Sequence, residues 1–262
     1  MKNNIDSVSL KDKLIELKTS SEIEVMRQAG QIAAKILDKL VQSTKPDITT
    51  KFLEDIARKE MNSFKVKPAF LGYRGYPAST CISINNELVH GIPSASRKIK
   101  KGDIVSIDLG VLYKGFYGDV AVTFGVGEIS QSSSKLLEVT KACLDKAIEK
   151  SKPGNRLGDV AWAVQSHAES SGFSIVRDYV GHGIGRKLHE EPQILNFGRP
   201  NTGTRLVPGM VFCIEPMVNE GSFEVQTLKD GWTVVTTDGK LCTHFEHMVA
   251  VTENGCEVLT KI

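Results

Sequence analysis

The chain has 262 residues, a net charge of +2 and 40% hydrophobic content. That composition excludes a disordered chain, and the near-neutral balance lacks the basic excess of a nucleic-acid binder. The opening residues carry no apolar stretch of a secretory signal, and nothing approaches the ~18 consecutive apolar residues of a membrane span, so a soluble cytoplasmic protein is expected. Five cysteines at 81, 143, 213, 242 and 256 form no Cys-x-x-Cys pair, which argues against a disulfide framework or a structural zinc site. The length suits one domain of roughly 200–250 residues, expected to span 15–262 behind a short extension, 1–14.

The first predicted helix opens on a capping box, Thr19-Ser-Ser-Glu22, ahead of Ile23, Met26, Ala33, Leu37 and Leu40 at spacings of three and four or their sums. A second helix follows Pro46, with Leu53, Ile56, Ala57 and Met61 on one face. Strands are expected over 81–84, 104–109 and 120–124. Helical spacing resumes at Leu136, Leu137, Leu144, Ala147 and Ile148, breaks at Pro153-Gly154, and returns over 157–172. Further strands are expected over 211–214, 232–236 and 247–251.

This order repeats itself. Ala34-Lys-Ile-Leu-Asp-Lys39 before Pro46 resembles Lys141-Ala-Cys-Leu-Asp-Lys146 before Pro153. Gly102-Asp-Ile-Val-Ser-Ile-Asp108 resembles Gly209-Met-Val-Phe-Cys-Ile-Glu215 at the same offset. Between these blocks, His90-Gly-Ile-Pro93 resembles His189-Glu-Glu-Pro192. Two helix-then-strand halves imply an α+β fold with pseudo-twofold symmetry and a site at the junction.

Seven residues stand in apolar or glycine-rich settings where an ionisable group is expensive to bury alone: His90, Asp108, Asp119, His182, His189, Glu215 and Glu246. Asp108 ends an apolar strand, and the intervening glycines suit a hairpin that returns Asp119 beside it. Glu215 likewise ends an apolar run. Glu246 shares a strand face with His244, leaving His247 on the other side in a structural role. His182 sits among Gly181, Gly183 and Gly185. A phosphate-cradling loop is the weaker reading there, because no Gly-Lys-Ser/Thr follows. Four carboxylates with one imidazole suit manganese, iron or cobalt, and two ions sharing such ligands acidify a shared water.

Taken together, His90, the Asp108/Asp119 pair, Gly-His182-Gly-Ile-Gly, His189-Glu-Glu-Pro, Ile-Glu215-Pro-Met and Phe-Glu246-His resemble a type I methionine aminopeptidase over about residues 15–262. The resemblance implies the pita-bread fold, an antiparallel sheet covered by helices, and removal of N-terminal methionine ahead of a small second residue. It implies two divalent ions (cobalt, manganese or iron, with zinc as a further option) on Asp108, Asp119, His182, Glu215 and Glu246, with Asp119 and Glu246 shared. Glu215 is implied as proton shuttle, His189 as donor to the oxyanion and His90 as a contact to the scissile amide. Phe70, Tyr73, Tyr76, Cys81 and Trp232 correspond to the methionine pocket. The implied partners are N-terminal Met peptides and nascent chains, with ribosome association open, no membrane, no nucleic-acid specificity and a monomeric state.

Three positions depart from the bacterial pattern: Arg74 where histidine is common, Leu188 where an aromatic is common, and His244 where glutamine is common. His244 offers a hydrogen bond to the ligand set or an extra ligand. Two rival readings are an X-Pro aminopeptidase of the same fold, which normally carries an added N-terminal domain, and a non-catalytic binding protein that lost its metals. The interval from Glu215 to Glu246 is too short for the large insertion of a type II methionine aminopeptidase.

Overall fold

The computed structural model describes residues 8–10 and 13–261, so part of the expected extension 1–14 lies outside the described residues. The first long helix, Ser20–Ser43, begins where the capping box places it. Thr19 Oγ1 accepts from the Glu22 amide at 3.3 Å, and the Glu22 carboxylate accepts from the Thr19 amide at 2.9 Å. Thr49 caps Thr50–Ser63 and Ser130 caps Gln131–Lys150 through the hydroxyl alone, accepting from the Phe52 and Ser133 amides. The fourth helix, Leu157–Ser170, is held at its start by Asp159, whose carboxylate accepts from the Arg156 amide at 2.7 Å.

The helix pairs pack against a nine-stranded sheet, antiparallel throughout its pairs. Its main path runs Glu190–Ile194, Gly181–Gly183, Val211–Ile214, Glu246–Thr252, Phe116–Gly125, Ile104–Tyr113 and Lys67–Pro68. The duplicated halves meet at the middle of this path, where Glu246 pairs with Ala121 and His247 with Val120. Each half also has its own apolar core. Ile36, Leu40, Leu53, Met61, Ile107 and Leu109 pack together in the first, and Leu136, Leu144, Val160, Val164, Phe212 and Val249 in the second. The pseudo-twofold arrangement expected from the repeated blocks is therefore present in both the sheet and the cores.

The central hairpin is longer than its sequence pattern. Ile104–Tyr113 continues past Asp108, and Phe116–Gly125 begins before Asp119. The two are joined at Lys114-Gly115, both at positive φ (47° and 85°), the backbone signature of a tight hairpin turn matched to strand twist. Helix Ser20–Ser43 lies flush on this hairpin. A Cβ added at Gly118 would come within 2.6 Å of the Ala29 carbonyl carbon, so only glycine permits the approach. Toward the C-terminal half, the strand expected over 232–236 is confined to Val234–Thr236, which leaves Trp232 outside the ladder.

Candidate active site

The acid cluster follows from strand parity. Asp108 pairs with Ala121 and Gly110 with Asp119, so both aspartates project from the same face as diagonal neighbours. Ala121 also pairs with Glu246, which brings a third carboxylate onto that face. The partners Gly110 and Ala121 are small, and this leaves room for the acids. A Cβ on Gly110 would lie 3.3 Å from Asp119 Oδ1 and 2.8 Å from Ala69 Cβ.

His182 comes from Gly181–Gly183, which is a strand and not a loop. Its flanking glycines serve close packing: a Cβ at Gly181 would meet the Cys213 carbonyl oxygen at 2.3 Å, and one at Gly183 the Glu191 carbonyl oxygen at 2.2 Å. The phosphate-cradle reading ends there. His182 Nε2 lies 3.7 Å from Glu215 Oε1 and 4.0 Å from Asp119 Oδ2. Potential ligand atoms of Asp119, His182, Cys213 and Glu246 all lie within 4.8 Å of one another.

This cluster fits bound cations on the chemistry of its own atoms. Asp108 Oδ1, Asp119 Oδ1 and Glu246 Oε1 are buried without a hydrogen-bond partner. Among the described residues, no lysine or arginine forms an ion pair with any of the four carboxylates. Buried acids left this way are normally neutralised or hold metal. Burial, and then mutual repulsion, push Asp108 and Glu246 well above the usual carboxylate range. Asp119 is pushed up to about 7 by burial and Glu215, and Glu215 to about 7 by burial against the opposing pull of His182.

Those shifts carry a sign. Acids with raised folded pKa values bind more protons folded than unfolded, so their contribution is fully present below their ordinary values of 3.8 and 4.5 and is lost as pH rises through about 7. The thermal midpoint of metal-stripped protein is therefore expected to fall between pH 5 and pH 8. Metal-loaded protein should lack that decline. Parallel declines in scanning calorimetry would show that the carboxylate cluster is not the cause.

Against the acids sits a cavity of about 160 Å³. It is well below the volume of a pocket for a drug-sized ligand and suits a single side chain. Its lining contains every site residue expected from the sequence: Phe70, Tyr73, Tyr76, Cys81, His90, Asp108, Asp119, His182, His189, Glu215, Trp232 and Glu246. Tyr76 and Trp232 meet edge to face at 5.1 Å, and the Tyr76 hydroxyl reaches the carbonyls of Thr80 and Gly91 at 3.0 and 3.2 Å. Burial pushes the Cys81 thiol up, so this side chain presents neutral, apolar surface.

Two histidines stand at the rim. His189 stacks on Tyr73, with Nδ1 2.9 Å from the Tyr73 hydroxyl, and its ring centroid lies 4.1 Å from that of His182. Loss of solvation, with His182 and Arg74 nearby, holds it below the usual imidazole range. His90 is forced to φ +60°, a strained conformation for a side chain of its size. Its ring is held edge-on by Tyr179 at 5.7 Å and Trp232 at 6.2 Å. Burial, and then His244, push it down to about 4, so both rim histidines are neutral near pH 7. Beyond the site, His247 is bonded through Nδ1 to Thr260 at 2.8 Å, in line with its expected structural role.

Sequence reasoning did not identify Cys213 or Tyr179 as neighbours of the site. Cys213 lies two residues before Glu215 and so shares its face, a signal present in the strand period. Tyr179 left no such signal, because it reaches His90 from a different part of the chain.

Comparison with known proteins agrees with this geometry. The pattern that defines metallopeptidase family M24 matches residues 24–253. Methionine aminopeptidase 1 of Bacillus subtilis is 51% identical over 249 residues, covering 95% of this chain and all of the relative. The crystal structure of methionine aminopeptidase from Thermotoga maritima superposes with a TM-score of 0.93 at 50% identity, covering 95% of this chain and 100% of that one. A prolidase from Pyrococcus horikoshii shares the fold at a TM-score of 0.76 and 25% identity, but only 63% of its chain is covered. The chain belongs to metallopeptidase family M24 and, within it, to the methionine aminopeptidases.

Proposed function

We propose that residues 15–262 act as a single catalytic domain that removes N-terminal methionine from peptides and nascent chains with a small second residue. The observation that carries this is one cavity, sized for one apolar side chain, whose lining includes five side chains able to ligate metal. Asp108, Asp119, His182, Glu215 and Glu246 would hold two divalent ions, of the manganese, iron or cobalt kind, with zinc also compatible. When bound, such ions polarise the carbonyl of the first peptide bond and acidify the attacking water.

The chain's own residues do the rest. Phe70, Tyr73, Tyr76, Cys81 and Trp232 take the methionine side chain, excluding water from its thioether. Glu215 accepts the proton released as water adds to the carbonyl carbon, and returns it to the amine nitrogen as the carbon–nitrogen bond breaks. With the Tyr73 hydroxyl donating to Nδ1, His189 carries its proton on Nε2 and donates it toward the developing oxyanion. His90, held by Tyr179 and Trp232, contacts the scissile amide and fixes its approach. The protein works as a cytoplasmic monomer on N-terminal Met peptides and nascent chains. Among the described residues, no helix is long and apolar enough to cross a membrane.

The test supplies metal-stripped protein with manganese, iron(II) or cobalt and offers Met-Ala-Ser and Ala-Pro-Ser. Metal-dependent release of methionine alone is the expected result. Cleavage of Ala-Pro-Ser alone would move the activity to the X-Pro branch of the fold. A folded protein that binds no metal and cleaves neither peptide would be a binding module.

A further inference from the structure

His244 carries a role that none of the chemistry above requires. Its backbone is clamped twice by one hydroxyl: the His244 amide donates to Thr123 Oγ1 at 2.9 Å, and Thr123 Oγ1 donates to the His244 carbonyl at 2.7 Å. Thr123 is itself engaged by Ser106 Oγ at 2.7 Å, so the clamp is anchored in the central hairpin. The clamp delivers a ring that is 2% exposed to the edge of the ligand cluster, with Nε2 3.4 Å from Glu215 Oε2 and no completed hydrogen bond. A buried ring nitrogen without a partner is destabilising, and an apolar residue would fill the same space at lower cost. The other Glu215 oxygen faces His182 at 3.7 Å, and the Glu215 carbonyl accepts from Asn196 at 2.9 Å.

We propose that His244 is a positioning residue for Glu215: its Nε2–H donates to Oε2 and orients the carboxylate so that Oε1 is presented to metal. Outer partners of this kind fix the rotamer of a ligating carboxylate before the ion arrives, so their loss appears first in metal affinity. The inference rests on Glu215 being a ligand, as proposed above.

The test titrates full-length, metal-stripped wild type, His244→Leu, His244→Gln and His244→Asn with cobalt(II), followed by calorimetry and by visible absorption of the bound ion. His244→Leu should bind cobalt roughly 10–100-fold more weakly and with an altered spectrum. His244→Gln should recover most of the affinity, and His244→Asn, one methylene shorter, should not. At saturating cobalt the leucine variant should lose kcat on Met-Ala-Ser with KM little changed, because the methionine pocket is untouched. Wild-type affinity and spectrum in His244→Leu overturn the proposal, and so does a glutamine variant as weak as leucine. If the leucine variant does not fold, equal affinities for the glutamine and asparagine variants overturn it instead. Failure of the wild type to bind cobalt would overturn the metal-site reading itself, a distinguishable result.

Discussion

Asp119→Asn is expected to lower Met-Ala-Ser cleavage by about 10³-fold or more, because it removes a charge from the centre of the ligand set where several kcal/mol of transition-state stabilisation depends on metal. The substitution is nearly isosteric. Asp119 is 3% exposed, and its neighbour Gly110 leaves just enough room for the existing side chain, so packing is retained. Asp119 also stands among Asp108, Glu215 and Glu246, whose charges repel one another. Neutralising one of the four relieves that repulsion. The metal-free variant should therefore melt at or above the wild-type midpoint while losing the rise in midpoint that cobalt or manganese produces in wild type. Calorimetry with and without metal, beside peptide kinetics, checks both halves. Retained activity would remove Asp119 from the metal site. A lowered metal-free midpoint would mean that the loss came from misfolding.

The second large effect lies at the rim. His189→Ala should reduce kcat by roughly 10²–10³-fold, the cost of losing one donor to an oxyanion, with KM and cobalt affinity little changed. The side chain sits at the mouth and is bonded to Tyr73 at 2.9 Å, so its removal leaves the sheet and the acid cluster intact. Tyr73→Phe removes only the hydroxyl that orients the imidazole and should cost less than His189→Ala. Steady-state kinetics on Met-Ala-Ser would decide between this role and a packing role. A proportional rise in KM with unchanged kcat would make His189 a substrate-binding group only.

Much of this architecture can be read from short stretches. Capping residues and helical spacing mark the helix starts, because those signals act within one turn. The candidate ligands stand out because acids such as Asp108 and Glu215 interrupt apolar strands, where an unpaired charge is costly. Even the two halves are visible, since duplication preserves the order of small motifs. Other features had no local signature. The glycines around His182 suit a loop or a strand equally well, and only the crowding of Cys213 and Glu191 against them makes strand packing the reason for glycine. Trp232 reads as part of a strand, yet it lies outside the ladder and meets Tyr76.

The sequence by itself determined which side chains could bind metal and which face of each strand they occupy, because strand period is local and alternates residue by residue. Only the tertiary structure decided which of those faces meet. Pairing Ala121 with both Asp108 and Glu246 joins residues from opposite halves, each with its own core. The same long-range register brings Thr123 to clamp His244 and turns its ring toward Glu215. Local chemistry marked the candidate ligands. The cost of burying four carboxylates together was accepted only where strands distant in sequence closed around a place for metal.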